Sequence, residues 1–332
     1  MRFREPEAAA LYFRNQPGTA RERLSLAEHG FSLRYIDPKA MRAWCDAALI
    51  GLPPGTDAPT AALLYGYAGN AHRVVGEFTS AEEQLTKALS LAPGEPRLLD
   101  FKASLLFDLR RLDEAAEALS RAAALRTNLV DPFAQSATLL KTAMVLDQSR
   151  KPDAAAAVAL SALKTLAEQP VSRAGEELER TAIQNLALYL TNAGRPDAAL
   201  RVVRHSRPFV ALGGARCELR MDWVLARIAG ALGEASAREV FVEVRKRCAR
   251  EQMLQEVALI SLDLALHLLS ASPLEARAEV ALVGPILNRL GIPEDSQEVQ
   301  LLYRILESSQ PDVDLVCELS RLLYAQRKFW AV

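Results

Sequence analysis

The sequence has few aromatic residues and almost no net charge. Phe, Trp and Tyr make up 6% of its 332 residues, while hydrophobic residues together make up 50%. Small aliphatic side chains must therefore supply the core, which favours closely packed helices over β-sandwiches or barrels. Forty basic residues against 41 acidic ones give a formal net charge of -1. This balance argues against nucleic acid or an anionic membrane as the partner.

Cysteine pairs, targeting segments and long apolar runs are also missing. No cysteine belongs to a CxxC pair or has a histidine at ligand spacing, and the four lie far apart: Cys45, Cys217, Cys248 and Cys317. We therefore predict no disulfide framework, no metal site and no cofactor. No apolar run reaches the ~18 residues of a membrane span, and none of signal-peptide length precedes Arg14. We expect a cytoplasmic protein, and the excess of arginine over lysine suggests a bacterial source.

Apolar residues recur at helical spacing along nearly the whole chain, and strand-like alternation is almost absent. Proline stands where several helices should begin. Pro38 follows Asp37, and Pro132 and Pro273 also follow residues that can cap a helix. Because the missing N–H of proline does no harm in the first turn, these prolines mark helix starts. We predict an all-α chain of short antiparallel helix pairs.

A tight turn followed by two small residues seven positions apart recurs four times. The pairs of small residues are Ala81/Ala88, Ala115/Ala122, Ala155/Ala162 and Ala199/Ser206, and the preceding helices carry Gly69, Ala103, Ala143 and Ala187. Two helices approach closely only where side chains are tiny, so these positions predict helix crossings. Because one helix pair cannot bury its apolar face alone, we predict that the pairs stack on one another.

This pattern resembles the tetratricopeptide repeat (TPR), a helix pair with a period of about 34 residues. The match is best over 62–95, where the signature positions hold Tyr65, Gly69, Gly76, Phe78, Ala81, Ala88 and Pro93. It continues over 96–129, 136–169 and 180–213, in the manner of TPR arrays in bacterial regulatory and signalling proteins. The resemblance implies a right-handed α-α superhelix, a TPR-like solenoid of about seven to eight antiparallel helix pairs.

We expect one continuous solenoid with three regions. Residues 1–58 are predicted to be a helical N-terminal cap with helices at 19–29 and 38–50, residues 59–213 well-matched TPR units, and residues 214–332 degenerate pairs. Helices are predicted at 253–270, 273–290, 294–308 and 311–327, the last as a C-terminal cap. The tail Lys328–Val332 carries two aromatic residues, which either tuck under the last helix or meet another chain. The oligomeric state therefore stays open.

In a TPR array the first helix of each pair lines a concave groove. The residues predicted to bind a partner there are Asn70, Arg73, Asp100, Ser104, Phe107, Asp108, Met144, Gln148, Gln184, Leu188 and Asn192. Their mixture of amides, charges and apolar groups suits a peptide or helix. We expect charge reversal at Asp100 and Asp108 to weaken binding and to leave the stability of the fold unchanged. Of the positions that clamp a C-terminal carboxylate in chaperone-binding TPR proteins, only Asn70 and Lys141 match.

Motifs for catalysis are missing. There is no G-x-S-x-G, H-E-x-x-H, Walker loop or G-x-G-x-x-G motif, and the histidines are scattered. We predict a non-catalytic interaction scaffold that binds a partner protein or peptide in the groove. The alternative is a ligand- or peptide-sensing regulatory module that acts with a separately encoded effector or DNA-binding partner. Basic clusters at 201–207 and 245–250 are either a patch for an anionic partner or solvated helix surface.

Overall fold

The computed structural model describes residues 3–34, 36–127, 131–308 and 311–325, and every regular element in these ranges is an α-helix. The chain divides into two compact units, the first reaching Val145 and the second beginning at Leu146. The tail Lys328–Val332 lies outside the described residues. None of the helices within the described ranges is both long and apolar enough to cross a membrane.

The first unit begins with three helices, α1 (Pro6–Asn15), α2 (Ala20–Ser32) and α3 (Pro38–Leu49). The side chain of Thr19 caps α2 and that of Asp37 caps α3, as the sequence predicts, whereas α1 was not predicted. Arg23 of α2 is only 1% exposed. Its guanidinium donates to the backbone carbonyls of Pro17, Ala48, Ile50 and Gly51. One buried guanidinium therefore connects the loop before α2 to the C-terminal end of α3 through hydrogen bonds.

The repeat pairs of this unit follow directly. They are built from α4 (Ala58–Val74), α5 (Phe78–Leu91), α6 (Pro96–Asp108) and α7 (Leu112–Arg126), and α8 (Pro132–Gln148) runs across the division between the units. Helix α4 packs on α5, α6 packs on α7, and α5 and α4 both contact α6. The predicted stacking of helix pairs is therefore observed in this unit.

Small residues lie at the predicted crossings. Ala81, Ala88, Ala115 and Ala122 are all 0% exposed. A Cβ atom placed on Gly69 would come within 2.7 Å of Leu85 Cγ, so α4 and α5 approach more closely than any larger residue allows. The sequence periodicity therefore predicted close contacts within the repeat pairs.

The second unit continues with α9 (Pro152–Ala167), α10 (Arg173–Asn192), α11 (Pro196–Ala211), α12 (Ala215–Ala231), α13 (Ala237–Arg250) and α14 (Leu254–Leu268). It ends with α15 (Pro273–Ala281), α16 (Val283–Arg289), α17 (Gln297–Glu307) and α18 (Val313–Ala325). Helix α10 packs on α9 and α11, α12 packs on α13, and α14 packs on α15. Helix α18 packs on α17 and also on α14.

The prediction of a single helix over 273–290 is wrong. The structure has α15 and α16 instead, with a break at Leu282. Pro285 lies just after the break. Proline lacks the N–H of the helical ladder, and its ring clashes with the carbonyl four residues earlier, at Ala281.

The turns inside the repeat pairs share one backbone feature. Gly76, Gly194 and Gly233 have φ values of 87°, 70° and 70°, in the left-handed region. Arg110 and Arg150 adopt it as well, with φ values of 61° and 59°. For a residue with a Cβ atom, this conformation costs about 1–2 kcal/mol. The turns at these two arginines therefore adopt the same geometry despite an unfavourable backbone conformation.

Ala122→Leu is expected to lower the free energy of unfolding by about 1–3 kcal/mol, because it adds three carbon atoms to a filled crossing. Ala124→Leu on the exposed side of the same helix is the matched control, and we expect a change within about 0.5 kcal/mol. Urea unfolding followed by circular dichroism measures both. Equal effects of the two variants would show that the crossing tolerates a larger side chain.

His72 of α4 contacts two carboxylates, that of Asp46 on α3 and that of Glu77 just before α5. Its Nε2 lies 3.1 Å from Asp46 Oδ1, and its Nδ1 lies 2.5 Å from Glu77 Oε2. The hydrogen bond to Asp46, together with the one to Glu77, raises the pKa of His72 above its usual 6.5 against the opposing effect of burial. A raised folded-state pKa means that this stabilisation is complete below pH 6.5 and is lost as the pH rises through the folded-state value.

The stability difference between the wild type and His72→Gln should therefore shrink as the pH rises from about 6 to about 9. Urea unfolding of both proteins across this range measures it. His205→Gln, at an exposed position of α11, controls for the loss of a histidine. A difference that stays constant or grows with pH would contradict the charged state assigned to His72.

Candidate functional site

Most of the predicted groove residues of the first unit form two sets of polar contacts on α4 and α6. Arg73 Nε donates to Asn70 Oδ1 at 2.9 Å, and Arg73 Nη1 donates to Asp108 Oδ2 at 2.7 Å. Ser104 Oγ donates to the backbone carbonyl of Asp100 at 2.8 Å. The structure therefore brings these five residues together, but it uses much of their hydrogen-bonding capacity internally.

Asp100 is part of the core rather than of a free surface. It is 6% exposed, and its Oδ2 lies 2.8 Å from Arg126 Nη1 of α7. The hydroxyl of Thr138 lies 3.1 Å from its other oxygen. Asn70 and Phe107 are likewise only 3% and 4% exposed. The expectation that these three side chains are presented to a partner is wrong, because neighbouring helices cover them.

Lys141 of α8 carries an amine without a partner in the described part of the chain. Its side chain is half-buried, and no hydrogen bond or ion pair to its amine occurs within the described ranges. Burial lowers its pKa, and the nearby Arg73, Arg126 and Arg34 lower it further, against the attraction of Asp100. Positive charge is thus in excess around Lys141, which makes this position suitable for an anionic group.

A cavity of about 360 Å³ lies within the second unit. Its wall comes from the end of α8, from α10, α12, α14 and α18, and from Arg150 and Pro152. Three of the predicted groove residues, Gln148, Leu188 and Asn192, are among the lining residues. The first helices of consecutive pairs therefore supply a common concave surface here, and α18 adds to it.

Asp147 is the acidic group of this cavity with the fewest contacts. Asn192 Nδ2 donates to its Oδ1 at 2.9 Å, and no other side chain in the described part of the chain donates to its carboxylate. Burial raises the pKa of Asp147, although the hydrogen bond from Asn192 and the charges of Arg227 and Arg321 oppose this effect. Asn192 is itself held, because its Oδ1 accepts a hydrogen bond of 2.8 Å from Arg227 Nη2.

The second carboxylate of the cavity, that of Asp263 on α14, forms a hydrogen bond and an ion pair inside the protein. Trp223 Nε1 donates to its Oδ2 at 2.7 Å, and Arg227 Nη1 lies 3.3 Å from its Oδ1. Asp263 is 7% exposed. Its buried charge is therefore compensated by an ion pair and an indole N–H, as a buried carboxylate requires.

The remaining predicted groove residues lie elsewhere. Gln184 Nε2 donates to the backbone carbonyl of Cys217 at 2.9 Å and so connects α10 to α12. Met144 is partly buried on α8. Asp263, Arg227 and Tyr324 were not predicted to belong to a site. Of these three, only Asp263 could have been found from the sequence, because it is a charged residue inside the apolar sequence of α14.

Asp100→Ala should lower the free energy of unfolding by about 3–5 kcal/mol, because it leaves Arg126 buried without its counter-ion. This prediction replaces the expectation that charge reversal at Asp100 leaves the stability unchanged, because Asp100 is 6% exposed and paired with Arg126. Asp108→Ala is the matched comparison, since the side chain of Asp108 is 22% exposed, and its effect should be smaller. Urea unfolding measures both. A loss of stability at Asp108 equal to that at Asp100 would contradict the assigned burial energetics.

Solved structures with similar folds were found by comparison. A Rap protein complexed with Competence and Sporulation Factor matches with a TM-score of 0.65 at 14% identity, covering 93% of this chain and 88% of that one. The apo form of RapI matches with a TM-score of 0.60 at 13% identity, covering 90% and 85%. PilF of Pseudomonas aeruginosa matches with a TM-score of 0.50 at 17% identity, covering 70% and 92%.

No protein-family model and no curated protein matches the sequence. At these low identities, the likeness to the Rap proteins concerns the fold alone. It agrees with the stacked helix pairs and with the buried small residues at their crossings. The chain has the all-α fold of tetratricopeptide-repeat proteins.

Proposed function

We propose that the chain is a non-catalytic interaction module that binds a partner protein or peptide through the first helices of its repeat pairs. The main support is the amine of Lys141, which is half-buried and has no partner in the described ranges. A charged amine in such a position loses hydration without gaining an ion pair, so a partner that brings an anion gains affinity there. The Rap protein of similar fold was solved in complex with a factor, which fits a binding role.

The expected partner therefore presents a carboxylate to the first unit. Arg73 and Arg126 are already bound to Asp108 and Asp100, so Lys141 is the cation that is available. A single available cation differs from the full carboxylate clamp of the chaperone-binding TPR proteins, of whose positions only Asn70 and Lys141 match here. An acidic side chain or a C-terminal carboxylate of the partner satisfies the same chemistry.

Peptides selected from a random peptide library on the purified chain test this function. We expect Lys141→Ala to weaken the selected peptides at least about tenfold in fluorescence anisotropy, the effect of losing one charged hydrogen bond. Lys164→Ala, at an exposed position of α9, is the matched control and should bind as the wild type does. The melting temperature of Lys141→Ala should not fall, because the variant removes an amine that lacks a counter-ion.

Failure to select any peptide, or selected peptides that bind Lys141→Ala as tightly as the wild type, would contradict this site. Loss of binding in Lys164→Ala alone would place the partner on the second helices.

A second candidate function is a ligand-sensing regulatory module that acts with a separate effector. The cavity of the second unit favours it, because a 360 Å³ space lined by polar groups is large enough for a small molecule. A concentration-dependent rise of the melting temperature with a small ligand distinguishes this function from a pure scaffold.

A further inference from the structure

The cavity of the second unit keeps one charge of each sign without an ion-pair partner. Arg227 is paired with Asp263, and Arg321 is paired with Glu318 at 3.2 Å. Asp147 and Arg150 also line the cavity, and neither side chain forms an ion pair within the described ranges. After the internal pairs are formed, the wall therefore offers one carboxylate and one guanidinium to an occupant.

The carboxylate of Asp147 needs a donor. Its single hydrogen bond comes from Asn192 and reaches Oδ1, whereas an ionised carboxylate has about four acceptor positions. A protonated amine brings up to three N–H donors and a compensating charge. An ammonium group is therefore the natural partner of Asp147.

Arg150 provides the positive charge of such a site. It follows α8 in the left-handed turn, and its backbone N–H donates to the carbonyl of Asp147 at 3.0 Å. This hydrogen bond holds the backbone of Arg150 close to the backbone of Asp147. A guanidinium with five N–H donors and no partner among the described residues suits a carboxylate, which it can bind through two parallel hydrogen bonds.

The rest of the wall is partly apolar. Leu188 of α10, Leu266 of α14 and Tyr324 of α18 contribute carbon surface to the cavity. The volume of about 360 Å³ is at the lower end of the range of ~300–1,000 Å³ for small-molecule sites. An occupant that carries an ammonium group, a carboxylate and an apolar side chain matches this wall.

We infer that the cavity binds a zwitterionic free amino acid or dipeptide with an apolar side chain, with its ammonium group on Asp147 and its carboxylate on Arg150. This inference deepens the ligand-sensing function proposed above and rests on it. It does not depend on partner binding at Lys141, which belongs to the first unit.

Free amino acids and dipeptides with apolar side chains, such as L-leucine and leucyl-leucine, are the probes. The purified full chain should show a concentration-dependent rise in melting temperature and heat on calorimetric titration with at least one of them. N-acetyl-leucine lacks the ammonium group and leucinamide lacks the carboxylate. Each should bind at least about tenfold more weakly than a free zwitterion that binds.

Two variants locate the site. Asp147→Asn keeps the shape of the side chain and an oxygen for Asn192, and Arg150→Gln removes the guanidinium. Each should raise the dissociation constant at least about tenfold. Asp153→Asn and Arg195→Gln are the matched controls, because both side chains are more than half exposed and lie outside the cavity wall. Both controls should bind as the wild type does.

The inference is overturned if none of the free amino acids and dipeptides binds, if the blocked analogues bind as tightly as the free ones, or if both Asp147→Asn and Arg150→Gln retain wild-type affinity. The comparison of blocked and free ligands uses the wild type, so it decides even where a variant fails to fold. Peptides that still bind through Lys141 while no zwitterion binds would overturn this inference alone.

Discussion

The fold depends on helices that approach each other where there is almost no side chain. A Cβ atom on Gly66 would lie 2.2 Å from Leu98 Cδ2, and one on Gly69 would lie 2.7 Å from Leu85 Cγ. Alanines fill the places equivalent to Gly69 in later repeats, with Ala143 and Ala187 both 0% exposed. Close-packed contacts of this kind leave little freedom to slide. The helix backbones therefore fix which polar side chains meet, and the polar contacts are consequences of that packing.

Features governed by local rules were predicted well from the sequence. Helix starts at Pro38 and Pro132 follow from proline chemistry, and the crossings at Ala81 and Ala122 follow from periodicity. The break before Pro285 was missed because apolar spacing continues through it. The burial of Asp100 could not be predicted, because one of its partners, Thr138, lies 38 residues away in the chain. The position of a residue in the repeat predicts which face of the helix it lies on. It does not predict which other helices cover that face.

The cavity of the second unit was predictable only in part, for the same reason. Leu188 and Asn192 follow from their places on a first helix. The part of the wall formed by α18 depends on the contact between α18 and α14. These two helices are not neighbours in the repeat series. Asp263 carried a signal, since a carboxylate inside an apolar helix requires a buried partner. The structure gives the partners of this carboxylate as Trp223 and Arg227.

The near-zero net charge of the chain conceals partly buried charges that have no counter-ion within the described ranges. Buried carboxylates are matched by arginines in both units, as in the pairs of Asp100 with Arg126 and Asp263 with Arg227. Such pairing is required, because an unmatched charge in the interior is strongly destabilising. Lys141 in the first unit and Asp147 in the second are partly buried, and neither has an ion-pair partner in the described ranges. Their charges have opposite signs and cancel in the total, yet each still lacks a counter-ion. A bound group that supplies the missing counter-ion removes that cost, so these two partly buried side chains offer more binding energy than the paired charges of the exposed helix surfaces.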